Sequence, residues 1–117
     1  MSGKTSYLAG LVAEDSVAAL YAGRGHAIAA RRWRGTRGEI DLIARDGDGV
    51  VFIEVKKARD FARAAERLTS AQIKRIYTAA SEFLCHEPRG QDTEVRFDVA
   101  LVNGAGQARI IENAIGF

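Results

Sequence analysis

Cysteine is almost missing from this chain: Cys85 is the only one in 117 residues. That excludes an internal disulfide and a cysteine-rich zinc site. Cys85 falls in a helical apolar pattern, so its expected role is that of a small buried hydrophobe. Proline is equally scarce, with Pro88 alone, so the elements elsewhere run without that interruption. No apolar run approaches the length that spans a bilayer. The opening Met-Ser-Gly-Lys-Thr-Ser carries no signal-type apolar region. The expectation is a cytoplasmic protein with no membrane partner. Charge of one sign is not in excess either, since 17 Lys and Arg stand against 15 Asp and Glu for a net +2. The location of the charge therefore matters more than its sum. With 47% hydrophobic and 27% charged residues the composition is that of an ordinary folded chain, and one domain over residues 1–117 is the expectation at this length.

What the chain does have is a strong hairpin pattern from Gly38 to Lys56. Two alternating runs flank Asp46-Gly47-Asp48-Gly49, residue types that tolerate the positive φ of tight turns. Alternation places Ile40, Leu42 and Ala44 on one face of the first strand, with Glu39, Asp41 and Ile43 on the other. In the second strand Val51, Ile53 and Val55 oppose Phe52, Glu54 and Lys56. A turn centred between Gly47 and Asp48 sets Asp41 opposite Glu54, with Cβ atoms roughly 4.5–5.5 Å apart. Two carboxylates that close repel unless a cation lies between them. Their oxygens suit a hard ion such as Mg²⁺, with Mn²⁺ as a substitute. Lys56 shares the face of Glu54. Two acids and a lysine at one point suit metal-assisted phosphodiester hydrolysis, the lysine orienting water or binding a phosphate oxygen. The plainer reading is a solvated hairpin whose charges pair with one another, and it stays open.

The remaining segments arrange themselves around this hairpin. Residues 4–22 read as a helix stopped at Gly23, with Tyr7, Leu11, Ala18 and Tyr21 on one side and Val17 nearby. Glu14 lies inside that apolar stripe, where a carboxylate either pairs with an arginine or serves a site. Between Gly23 and Gly38 come Arg24, Arg31, Arg32, Arg34 and Arg37 with Trp33 among them and no acid. This reads as a strand suited to phosphate contacts and stacking, or as a charged sheet edge with Trp33 in the core. Residues 57–68, opening with Lys57, read as a mobile loop or a helical turn. Thr69-Ser70-Ala71-Gln72 is a capping box, and a helix follows with Ile73, Ile76, Tyr77, Ala80, Phe83 and Leu84 as its stripe. Gln72, Lys74 and Arg75 cluster in its first turns, where an anion is favoured. Residues 94–102 alternate as a strand, and a last short strand fits 108–112. The order is helix, three strands, helix, strand: α/β, with helices on a central mixed sheet.

Glu14, Asp41 and Glu54-Val55-Lys56 together resemble the PD-(D/E)XK nuclease core, as in archaeal Holliday junction resolvases. More narrowly, residues 10–117 look like the bacterial YraN family. They share Trp33-Arg34, Gly38-Glu39-Ile40-Asp41-Leu42-Ile43, Val51-Phe52-Ile53-Glu54-Val55-Lys56, Lys74 and Arg96-Phe97-Asp98-Val99. Three positions depart from that pattern. Ala58 stands where a basic residue is usual, with Arg59 one later; Ala62 follows Phe61 where glycine is common; Arg32 replaces a frequent Asn. The resemblance implies a restriction endonuclease-like fold of αβββαβ order. It also implies a Mg²⁺-dependent endonuclease acting on DNA, branched or damaged forms included. In that reading Glu14, Asp41 and Glu54 hold metal and Lys56 completes the catalytic set. Arg31, Arg32, Trp33, Arg34, Arg37, Lys57, Gln72 and Lys74 face nucleic acid. A nucleic-acid-binding protein that keeps the fold without cutting, and a scaffold whose acids only stabilise the sheet, remain the alternatives, and a homodimer stays open.

Overall fold

The turn at Asp46–Gly49 sets the register of the sheet. Gly47 takes φ +59, a conformation glycine adopts freely, and Asp46 pairs with Gly49 across it. Ladder pairs then run back from Arg45↔Val50 to Leu42↔Ile53, the register the turn predicts. The computed structural model describes residues 3–115, with side chains from Leu8 onward; Tyr7, expected in the first helix's stripe, has its side chain outside the described residues. The elements are α1 (Gly3–Gly23), β1 (Ile28–Arg34), β2 (Glu39–Asp46), β3 (Gly49–Lys57), α2 (Phe61–Glu66), α3 (Ser70–Leu84), a 3-10 turn (Gly90–Asp92), β4 (Val95–Val102) and β5 (Ala108–Ile111). The sheet order is β1-β2-β3-β4-β5. β3 and β4 are parallel and every other neighbour is antiparallel. The protein is thus α/β with a mixed sheet flanked by helices, and α2 with α3 forms the crossover that a parallel pair requires.

The two faces carry separate cores. On one, Ala13, Val17, Ala18 and Tyr21 of α1 cover Leu42, Ala44, Val51, Ile53, Ala100 and Val102. On the other, Ile76, Ala79, Ala80, Phe83 and Leu84 of α3 cover Ile43, Val50, Phe52 and Phe97. Each such aliphatic or phenyl side chain contributes about 1.5–3 kcal/mol on burial. β3 lies between both layers, which is why Gly49–Lys57 reads as a continuous apolar run until Glu54. α3 begins as the capping box requires: Thr69 Oγ1 accepts from Gln72 N and Gln72 Oε1 accepts from Thr69 N, each at 3.1 Å. The segment read as a loop or a turn is the helix α2, capped by Asp60, whose Oδ1 accepts from Arg63 N at 2.8 Å.

Two expectations are corrected. Cys85 is exposed rather than buried. It occupies the C-cap of α3, just past Leu84, where the chain turns out of the apolar stripe. Ile40 faces the α3 core, not the α1 core that holds Leu42 and Ala44. The cause is a break in alternation shared by two strands. Ala30 and Trp33, three residues apart, both face α3, as do their partners Ile43 and Ile40. Between them Arg32 takes φ +49, a left-handed conformation rare for a side chain of that size. Arg31 and Arg32 can therefore both turn toward α1, where they meet Asp15 and Glu14. Regular strand geometry would send consecutive residues to opposite faces.

Candidate functional site

The alternation break opens a fork in the sheet. β2 and β3 pair as far as Leu42↔Ile53, while β3 continues beside β4 to Lys57↔Val102. Asp41 stands at the crotch of the fork. Its Oδ2 accepts from Val55 N at 2.8 Å, a donor that no β2 carbonyl takes up in the paired register. Glu54 arrives from the α3 face of β3, and Glu14 from α1 on the other side. Through the gap, Glu14, Arg32, Asp41, Glu54, Lys56 and Lys57 line one open cavity of about 820 Å³. A second cavity, about 220 Å³, shares Asp41, Glu54 and Gln72 and adds Glu39 and Arg75. The acid pair is reached from both faces.

The electrostatics at the fork are unfavourable without a cation. Glu54 is 9% exposed, and its Oε2 is buried with no hydrogen-bond partner among the described residues. Burial first, and the Asp41 charge second, push its carboxyl up to about 8, against the opposing pull of Lys56. Asp41 is likewise raised by burial, partly offset by the Val55 hydrogen bond and the Lys56 charge. Glu14 is raised by burial and by Asp41, with Arg32 opposing. Local cations meet part of this demand: Lys56 Nζ lies 3.2 Å from Glu54 Oε1 and Arg32 Nε 3.3 Å from Glu14 Oε2. A hard divalent ion fits the rest. The orphaned Oε2 and the facing Asp41 carboxylate are oxygen donors of the type Mg²⁺ prefers. Among the described residues no three His, Cys, Asp or Glu side chains form a ready-made metal cluster, so water or phosphate would have to fill the remaining positions.

The structure gathers Glu14, Arg32, Asp41, Glu54, Lys56, Lys57 and Gln72 at these cavities. Arg31, Trp33, Arg34, Arg37 and Lys74 line neither. Trp33 stands edge-on to Phe83, ring centroids 5.5 Å apart, in the α3 core. Arg31 is held by Asp15 and Arg34 by Glu39. Arg59, noted above as the basic residue one position later than the family's usual one, and Arg67, which no motif singled out, do line the larger cavity. The available signal for them was position: Arg59 lies three residues past Lys56, and Arg67 two before the Thr69 cap. Gln72 borders both cavities while its Oε1 serves the α3 cap.

Fold and site together define a class: a mixed α/β protein with a buried carboxylate pair and a lysine where two sheet strands part. Within that class, the chain belongs to the family described as "Uncharacterised protein family UPF0102", whose model matches residues 13–102. This is the family noted above as YraN. A UPF0102 protein of Cereibacter sphaeroides is 61% identical over 114 residues, covering 97% of each chain. One of Ruegeria pomeroyi is 60% identical over 114 residues, covering 97% of this chain and 93% of the relative. One of Roseobacter denitrificans is 49% identical, covering 97% and 88%. Among the described residues no helix is long and apolar enough to cross a membrane.

Proposed function

We propose that the protein is a metal-dependent endonuclease that hydrolyses DNA phosphodiester bonds, with a restriction endonuclease-like arrangement of the PD-(D/E)XK kind. The observation that carries this is Glu54: a buried carboxylate with one orphaned oxygen, facing Asp41 and touching Lys56. A scaffold has no use for that arrangement, because an apolar residue of similar size would be as stable there. When bound, Mg²⁺ would supply charge neutralisation at the phosphate and a more acidic water. Asp41 and Glu54 would hold it, and Asp41 is itself oriented by Val55 N. Glu14 borders the same cavity and can complete the acid set once it leaves Arg32. Lys56, released from Glu54, can donate to the attacking water or to a phosphate oxygen as negative charge develops.

A second reading rests on the same ion pairs. Glu54–Lys56 and Glu14–Arg32 neutralise the site from within, which suits a nucleic-acid-binding protein that does not cut. Linear, single-stranded and branched DNA incubated with Mg²⁺ and with Mn²⁺ separates the two. The nuclease reading expects metal-dependent cleavage that Lys56→Ala reduces on the order of 10²–10³-fold, with DNA affinity nearly unchanged. No cleavage of any form by the wild type, with either metal, would leave the binder.

A further inference from the structure

Of the arginines that first suggest a nucleic-acid path, the three on β1 are already paired. Arg31, Arg32 and Arg34 on β1 pair with Asp15, Glu14 and Glu39. On the opposite lip of the larger cavity the pattern reverses. Lys57, Arg59 and Arg67 line it, and none has an acidic partner within ion-pair distance among the described residues. The one arginine between them that is paired, Arg63, is held by Asp60 at the α2 cap, and it does not line the cavity.

These three cations also sit on a fixed base. Ala58 N donates to Val102 O and Gly104 N to Arg59 O, both at 3.0 Å, tying the end of β3 to the β4–β5 turn. Ala64 of α2 is fully buried against Val99 and Leu101, and Phe61 carries Arg109 over its ring at 4.5 Å. Three like charges gathered without counter-ions raise the potential of a concave rim and draw in a polyanion. The rim adjoins the acid pair.

We propose that the phosphate backbone of the nucleic acid is held by Lys57, Arg59 and Arg67 on the β3–α2 lip, and that the β1 arginines serve the fold. This rests on the nucleic-acid reading above and assigns its phosphate contacts. This lip shares its cavity with Asp41, Glu54 and Lys56, whereas on β1 Arg31 and Arg34 line neither cavity and Arg32, which lines the larger one, is paired with Glu14.

The test is binding without chemistry. Affinity for a fluorescent DNA duplex is measured in EDTA across a salt series, for the wild type, for Arg59→Ala/Arg67→Ala and, on β1, for Arg31→Ala/Arg34→Ala. Thermal melts check that each is folded, and Arg67→Glu gives a single-site variant independent of the double. Each lost phosphate contact lowers the log–log salt slope by about 0.9 on duplex DNA. The lip variant should lose about 1.8 from the slope and the β1 variant almost nothing, with Arg67→Glu weakening binding further at low salt. A slope kept by the lip variant and reduced in the β1 variant would overturn this assignment while leaving the proposed function in place. A wild type that binds no DNA at low salt would overturn the proposed function, and this inference with it.

Discussion

Asp98 on β4 and Glu54 on β3 are both buried acids of neighbouring strands, 0% and 9% exposed. Every oxygen of Asp98 is used. Tyr21 Oη donates to Oδ2 at 2.6 Å, Arg96 Nε and Nη2 donate at 2.8 and 3.0 Å, and Asn113 N donates to Oδ1 at 2.9 Å. That set fastens α1, β4 and the segment after β5 to one carboxylate. Glu54 has Lys56 on one oxygen, no donor on the other among the described residues, and the Asp41 carboxyl in front of it, to which only a protonated Glu54 can donate. A buried acid that serves the fold satisfies its lone pairs from within the chain. One that does not is either strain without purpose or a place prepared for something that arrives later.

The strongest way to break this contrast is Asp98→Ala. It strands the Tyr21 hydroxyl and leaves Arg96 only its longer contact with Glu112, and removing one partner of a buried, hydrogen-bonded pair costs roughly 3–5 kcal/mol. Urea unfolding at pH 7 should show a loss of that size. A loss no larger than that of a surface mutation would remove the structural role of Asp98.

Glu54 should behave in the opposite sense. Its carboxyl is held at about 8, above the ordinary 4.5, so the folded protein keeps a proton that the unfolded chain has released. The stabilisation is complete below pH 4.5 and is lost as pH rises toward 8, at up to about 1.4 kcal/mol per unit. Metal-free protein should therefore show a falling Tm from pH 5 to pH 8. Glu54→Gln should flatten that profile and leave the variant as stable as the wild type, or more so, at pH 8. A Glu54→Gln protein that loses stability at pH 8 would make Glu54 a structural acid like Asp98.

A gentler change moves the fork without touching a charge. A Cβ on Gly38 would lie 3.0 Å from both Cβ and the carbonyl oxygen of Arg75, so with Gly38→Ala the start of β2 and Arg75 of α3 have to part by a few tenths of an ångström. The expected cost is about 1–3 kcal/mol by denaturation, the usual range for overpacking. Cleavage by this variant should fall even where it remains folded, because the displaced strand carries Asp41. Unchanged activity and stability would show that the fork tolerates that movement.

The smallest effect is expected from Arg34→Ala. Its side chain is 81% exposed and its pair with Glu39 spans 3.3 Å. Stability should change by less than about 1 kcal/mol, since such pairs are screened by solvent. A larger loss would mean that the β1 arginines carry more of the fold than their exposure suggests.

The sequence was readable where local chemistry decides the structure. Asp46-Gly47-Asp48-Gly49 fixed the hairpin register as far as Leu42↔Ile53, but the expected pair of Asp41 opposite Glu54 does not form in the ladder; Asp41 bonds Val55 N instead, where the strands part. Thr69 and Gln72 announced α3 by bonds within a single turn. It was less readable where distant contacts decide. Arg32 at φ +49 gives no signal in composition, yet it reverses the facing of Ile40 and lets Arg31 and Arg32 turn to the same side. The Tyr21–Asp98 bond joins residues 77 apart, so nothing local marks Asp98 as more than one position in an alternating strand. The arginine-rich strand drew attention by its composition, but its acidic partners lie on α1 and β2, and only the fold brings them together.

The central claim is that the Asp41–Glu54 pair is a divalent-cation site. Its most direct test is a Mn²⁺ titration followed by electron paramagnetic resonance at pH 8, with the wild type beside Asp41→Asn and with a DNA duplex absent and then present. Two carboxylates alone should bind weakly, so the wild type should show a saturable site that tightens when DNA supplies phosphate oxygens. Asp41→Asn should lose that site under both conditions while melting as a folded protein. Identical titration curves for the two proteins, with or without DNA, would contradict a metal site at this pair.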